Sequence, residues 1–222
     1  MQRRKRKRKK RPLERIARYS GILLLLVIIL GIFYSCRERA EGVIDDILHP
    51  TKKVGAVEVR ELFLTPNEYS RPQTKLKKVN GIVIHYTANP GSTAENNRDY
   101  FEGLKDSQAT YASSHYIIGI EGEIIQCIPL DEIAYASNKR NNDTISIECC
   151  HEDKTGAFTD KTHQSLVKLV AWLCGKYNLK ENDIIRHYDV TGKCCPKYYV
   201  EHEEKWIQLK TEIFAYIEQL GK

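Results

Sequence analysis

The sequence predicts an α/β fold: a single domain with a central mixed β-sheet flanked by helices, preceded by an N-terminal transmembrane helix and a stalk. Three observations predict it. Short β-branched runs alternate with amphipathic helical patterns, which is how a sheet with covering helices reads. Two of those runs are separated by Glu121-Gly122, a hairpin turn that makes part of the sheet antiparallel. And a stretch without any charged residue, from Tyr19 to Cys36, follows a strongly basic head.

The head and the stretch behind it are read together. Residues 1–18 hold eleven Lys or Arg and one Glu, net +10, so the remaining 204 residues carry 24 Lys or Arg against 28 Asp or Glu, net −4. A mildly acidic body does not suggest nucleic-acid binding. The 18 residues Tyr19 to Cys36 are just long enough to span a bilayer. Residues 1–18 are therefore expected to be a cytoplasmic tail, residues 19–36 a transmembrane signal anchor, and everything after Cys36 is expected outside the cell, at the cell membrane. A cleaved secretory signal is the rival reading, although no small-x-small site follows in "RERAEG". A lipoprotein at Cys36 would want small residues where Phe33 and Tyr34 stand.

Residues 37–65, charged and weakly periodic, read as an extracellular stalk. The domain is expected over residues 66–222, after an extended approach with two prolines and a turn at Asn80-Gly81. "GIVIHYT" is β-branched and reads as a buried strand, with Ile82 and Ile84 inward and Val83, His85 and Thr87 on the other face. "STAENNRDYFEGLKDS" reads as a helix with Ser92 as N-cap. "SHYIIGIEGEIIQCI" is the hairpin and "DTISIECC" a strand. "TDKTHQSLVKLVAWLCGKYN" places Leu166, Leu169, Val170, Leu173 and Tyr177 on one helical face, with Thr159 as cap. "DIIRHY" is a further strand. The closing helix has Trp206, Leu209, Ile213, Ile217 and Leu220 as its stripe and Gly221 to end it.

The chemistry-bearing residues stand out against this frame. "IIRHYDVTGKCCPKYY" holds His187, Lys193, Cys194 and Cys195 within a strand-to-turn unit. The cysteines could be part of a disulfide framework, buried apolar groups, or metal ligands. Seven cysteines, at positions 36, 127, 149, 150, 174, 194 and 195, leave at least one unpaired or bound to something if the domain is exported. No Cys-x-x-Cys or His-x3-His pair exists, so a structural zinc finger is not indicated. Two imidazoles and one thiolate with an open fourth position would suit a catalytic zinc. His85 ends its strand, where α/β folds place ligands. Glu148 shares a strand face with Ser146 and Cys150, and a carboxylate in so apolar a strand needs a purpose or a partner. His151, His163 and His202 are expected at the surface.

"IVIHYT", "SSHYIIGIEGEIIQCIP", "NNDTISIECC" and "IIRHYDVTGKCCP", in this order and spacing, resemble the zinc-dependent N-acetylmuramoyl-L-alanine amidases, relatives of phage amidase endolysins and of peptidoglycan recognition proteins. The resemblance covers roughly residues 78 to 200. It implies one zinc per chain, with ligands His85, His187 and Cys195. The run "HYDVTGKCCP" puts the family's catalytic lysine on Lys193, and "TISIE" puts its strand glutamate on Glu148. Some members have a tyrosine before the hairpin histidine. Ser114 stands there, before His115, which moves the weight onto Glu148. His115 and Asp189 are expected to orient ligands or substrate.

What the resemblance implies for function is hydrolysis of the amide between N-acetylmuramic acid and L-alanine of peptidoglycan. The basic head and charge-free span add a membrane anchor, the acidic body argues against nucleic acid, and a monomer is expected. The alternative is a module that binds peptidoglycan without cutting it. A disulfide-built receptor domain is a third reading, in which the thiols would be oxidised.

Overall fold

The computed structural model describes residues 26–37, 39–40 and 51–220. Seven strands among the described residues form one sheet: β1 (Thr51–Val54), β2 (Val57–Glu61), β3 (Gly81–Tyr86), β4 (Tyr116–Ile118), β5 (Ile124–Gln126), β6 (Thr144–Cys149) and β7 (Ile184–Arg186). Their order is β1-β2-β5-β4-β6-β3-β7. The β1–β2 and β4–β5 pairs are antiparallel, while β2–β5, β4–β6, β6–β3 and β3–β7 are parallel. The expected mixed sheet and the hairpin at Glu121-Gly122 are both there. The parallel centre is covered on both faces: β3 and β6 are buried along nearly their whole length, the isoleucines on one face and His85, Ser146 and Glu148 on the other.

Residues 26–37 are helical (α1). Five further helices follow: α2 (Ala94–Ser107), α3 (Asp160–Tyr177), α4 (His187–Thr191), α5 (Lys197–Glu201) and α6 (Glu203–Leu220). One face of the sheet packs Ile82, Ile84, Ile145 and Ile147 against Leu166, Leu169, Val170 and Leu173 of α3 and Trp206, Leu209 and Ile213 of α6. The other face packs Ile117 and Ile125 against Phe101 and Leu104 of α2. The result is a sheet between helical layers, in which strand parity decides the face of each residue. His85 and Glu148 alternate away from Ile84 and Ile147, onto the α2 side.

Thr159 caps α3 as expected, its side chain accepting from the Thr162 N–H. The first domain helix starts one residue later than the sequence suggests. Thr93 is its cap, in a reciprocal box with Asn96, and the Ser92 hydroxyl instead donates to the Asn89 carbonyl oxygen. Leu220, expected on the apolar stripe of α6, is 62% exposed. Gly221, expected to end that helix, lies outside the described residues.

Part of the segment expected as a stalk, 37–65, belongs to the folded domain. Thr51–Glu61 folds into the hairpin β1–β2, and β2 pairs in parallel with β5, so the sheet begins before residue 66. The pairing extends through Leu62 N–H to the Gln126 carbonyl (3.0 Å) and Leu64 N–H to that of Cys127 (2.9 Å). Val54, Val57, Val59 and Leu64 are buried. The alternation Val57-Glu58-Val59-Arg60 was the available signal, hidden by its brevity and by the charged residues around it.

Of the expected transmembrane segment, residues 19–25 lie outside the described residues, as do the basic tail 1–18 and residues 41–50. No helix among the described residues is long and apolar enough to cross a membrane. The chain divides into two units, residues 1–48 and 49–222.

Candidate metal centre

β3 carries His85 at its C-terminal end, and β6 carries Glu148 beside it as its register partner. The neighbouring strand β7 ends at Arg186, and the chain turns at once into α4, which His187 begins. The expected strand "DIIRHY" therefore stops two residues early. Asp189 causes this: its Oδ2 accepts the Arg186 backbone N–H (2.8 Å) in the manner of a helix cap. Asp189 also takes the Arg186 guanidinium through Oδ1 (2.9 Å) and Oδ2 (3.2 Å). Gly192 ends α4 at φ +80°, a left-handed conformation that a side chain would strain. The chain then doubles back, and Tyr188 N–H donates to the Cys195 carbonyl (2.9 Å). That return brings Cys195 beside His187.

His85, His187 and Cys195 form a group that could hold a metal ion, with ligand atoms within 4.8 Å of one another. His85 Nδ1 is 3.8 Å from Cys195 Sγ, and the two imidazole centroids are 4.7 Å apart, edge to face. Tetrahedral zinc with bonds of about 2.0–2.3 Å separates its donor atoms by roughly 3.5 Å. The three residues thus need only a small closing movement.

Polar satisfaction supports the same fit. His85 Nε2 is held by Ser137 Oγ (3.1 Å) and His187 Nε2 by Asn138 Oδ1 (3.0 Å). This leaves His187 Nδ1 buried without a partner. Glu148 Oε2 is likewise shut off from solvent and unpartnered. Orphaned buried polar atoms are uncommon in folded proteins, and these two belong to residues lining the same cleft.

The electrostatics point the same way. Burial, then the neighbouring His187 and Lys193, hold His85 well below the usual histidine range. Burial and Lys193 depress His187. Both imidazoles are therefore neutral near pH 7, with lone pairs free to ligate. Burial pushes the Cys195 thiol up to about 12, with Glu148 adding to the shift, while a backbone hydrogen bond involving Tyr86 and the charge of Lys193 oppose it. Burial pushes Glu148 up to about 8, Lys193 acting against it. Two potential anions placed together with one lysine for counter-charge suit a divalent cation, whose binding would drive off the thiol proton.

Lys193 is exposed at the rim of the cleft onto which these side chains open, a space of about 410 Å³. Tyr86, Phe101, Tyr111 and Tyr135 line its walls. Tyr111 stands edge-on to Tyr135 at 5.6 Å and stacks on Tyr69 at 5.0 Å.

His115 is elsewhere in its loyalties. It is 1% exposed; its Nδ1 accepts the Ser146 N–H (3.0 Å), and its Nε2 lies 3.0 Å from the Glu132 carbonyl. Both nitrogens are engaged inside the fold, where the residue just before β4 is tied to β6 and to the Glu132 carbonyl. Asp189 acts on His187 only through the turn it caps. His151, expected at the surface, is buried and stacks on Tyr86 at 5.1 Å. His163 is half-buried between Glu212 (2.5 Å) and Tyr199 (3.2 Å). The seven cysteines are free thiols. Ser137, Asn138 and the tyrosine wall were not singled out from sequence, and "YASNKR" carries no periodic or motif signal that would have found them.

The family model for N-acetylmuramoyl-L-alanine amidases matches residues 75–198. The chain belongs to this amidase family. It is 39% identical over 170 residues to the N-acetylmuramoyl-L-alanine amidase CwlL of Bacillus licheniformis, covering 71% of this chain and 47% of that protein. To the amidase BlyA of Bacillus subtilis (strain 168) it is 34% identical over 174 residues, covering 69% and 46%. The chain spans about half the length of the curated relatives it matches. Among solved structures it is similar to PlyL, with TM-score 0.61 at 26% identity over 71% of this chain and 97% of that one. The PlyG catalytic domain gives TM-score 0.61 at 25% identity over 72% and 96%. This amidase-family domain therefore shares its sheet-and-helix architecture with domains of that length, and the match spans all three candidate ligands.

Proposed function

We propose that this chain is a membrane-anchored, zinc-dependent N-acetylmuramoyl-L-alanine amidase, cutting the amide between the lactyl group of N-acetylmuramic acid and the L-alanine of the stem peptide in peptidoglycan. The observation that carries the reading is the convergence of His85, His187 and Cys195 beside the unpartnered carboxylate oxygen of Glu148.

When bound, zinc supplies Lewis acidity, making water acidic near neutral pH and drawing charge from a carbonyl. His85 and His187 present neutral imidazoles, and Cys195 a thiolate. Glu148 moves the proton, taking it from the attacking water and giving it to the departing alanine amine. Burial raises its pKa in the metal-free chain, and a bound cation would lower it again, which favours the carboxylate that accepts the proton. Lys193 faces the negative charge that develops on the carbonyl oxygen. The products are a free lactyl carboxylate and a stem peptide with an L-alanine amino terminus.

The anchor reading rests on the charge-free run 19–36 behind a basic head and on the exposed apolar side chains of α1, such as Leu30 (66%) and Phe33 (69%). It places residues 1–18 in the cytoplasm and the domain outside, at the wall. One chain carries all the ligands, so a monomer suffices.

The test is mass spectrometry of peptidoglycan digested with the zinc-loaded chain. The reading expects stem peptides that begin with L-alanine and glycan strands stripped of peptide. Uncut wall that nevertheless pellets the protein would make this a binding module instead.

A further inference from the structure

Consecutive residues hold the two histidines. Ser137 meets His85 Nε2, and Asn138 meets His187 Nε2. In an extended segment neighbouring side chains diverge. Here they converge on rings 4.7 Å apart, and Asn138 has φ +52°, the left-handed conformation that closes the loop. Asn141 holds the loop from behind, its Oδ1 accepting the N–H groups of Ala136 (3.1 Å) and Ser137 (2.6 Å).

The chemistry of the two contacts differs. With the Asn138 carboxamide oxygen as its partner, which only accepts, His187 Nε2 carries the proton and Nδ1 is the bare lone pair. That is the atom left buried without a partner. A hydroxyl can donate or accept, so Ser137 orients His85 without dictating its tautomer.

We propose that Asn138, with Ser137 beside it, is a positioning residue for the metal centre: it locks His187 in the Nε2–H tautomer and aims Nδ1 at the ion shared with His85 and Cys195. The inference rests on the metal centre proposed above. Asn suits the position twice over, because its short amide side chain also tolerates the left-handed backbone better than most.

Two substitutions separate backbone from side chain. Asn138→Gly keeps the left-handed backbone and removes the acceptor, and Asn138→Asp keeps an acceptor. Zinc affinity is read by competition with a chromophoric chelator, and the tautomer by long-range proton–nitrogen correlation in the zinc-free protein. The lock predicts that Asn138→Gly weakens zinc binding about 10–100-fold and gives His187 a mixture of tautomers, while Asn138→Asp restores both. If Asn138→Gly binds zinc as tightly as the parent and keeps Nε2–H, the lock is overturned and the metal centre stands. If the parent chain binds no zinc at all, both fall.

Discussion

His85 and Glu148 occupy the same rung of the sheet: β3 and β6 run parallel, and the two residues are register partners. Adjacent strands lie about 4.8 Å apart, so a candidate metal ligand and a candidate proton carrier stand side by side on rigid backbone. Their strand positions place them on one face, and no loop has to bring them together.

That placement has a cost that can be measured. Glu148 is pushed up to about 8 by burial, against an ordinary 4.5. The folded chain keeps this proton where the unfolded chain has released it, so stability falls as pH rises from 4.5 to 8. In chelator-treated protein, Glu148→Gln should remove that contribution and melt higher than the parent at pH 8. Equal or lower melting would contradict the burial argument.

Metal binding should stabilise the fold. A ligand at about a thousand times its Kd adds roughly 4 kcal/mol to a state that alone binds it. Zinc should therefore raise the melting temperature of the parent, and Cys195→Ala should lose most of the rise. A thiol count should fall by one on zinc loading and recover on chelation.

His115 predicts a second pH dependence of opposite sign. Burial pushes it down from 6.5 to about 4, and its Nδ1 lone pair is committed to the Ser146 N–H. Below 6.5 the unfolded chain takes a proton that the folded chain refuses, so stability is whole above pH 6.5 and declines toward pH 4. The contribution at stake is roughly 3 kcal/mol. Urea midpoints between pH 7 and 4 should fall more steeply for the parent than for His115→Gln.

The hairpin β1–β2 makes a prediction about where the domain starts. Each buried valine or leucine is worth about 1.5–3 kcal/mol, and removing residues 49–65 deletes Val54, Val57, Val59 and Leu64 from the core. A fragment of residues 66–222 should unfold at markedly lower urea than residues 49–222. Coincident curves would restore the longer stalk.

The pattern of what could be read in advance has physical causes. β3 and β6 announced themselves through β-branched residues, with Ile82, Ile84, Ile145 and Ile147 recurring at every second position. α3 was equally plain, since Leu166, Leu169, Val170 and Leu173 repeat at helical spacing. The hairpin β1–β2 was missed because it is short and β2 shows only every second residue to the core. His187, Lys193 and Cys195 were visible as a cluster, yet spacing alone left disulfide and metal readings open, and the resemblance decided between them. His115 was expected to orient ligands or substrate, and its bonds to Ser146 and the Glu132 carbonyl depend on tertiary partners that no sequence spacing encodes. Ser137 and Asn138 act through loop conformation, which no periodicity encodes.

The most direct test compares release of L-alanine amino groups from purified peptidoglycan by the parent and by Glu148→Gln, at matched bound zinc. The account predicts steady release by the parent, abolished by chelation, and a rate about 10²–10⁴-fold lower in Glu148→Gln with zinc still bound. Equal rates in the two proteins, or no release from the zinc-loaded parent, would contradict it.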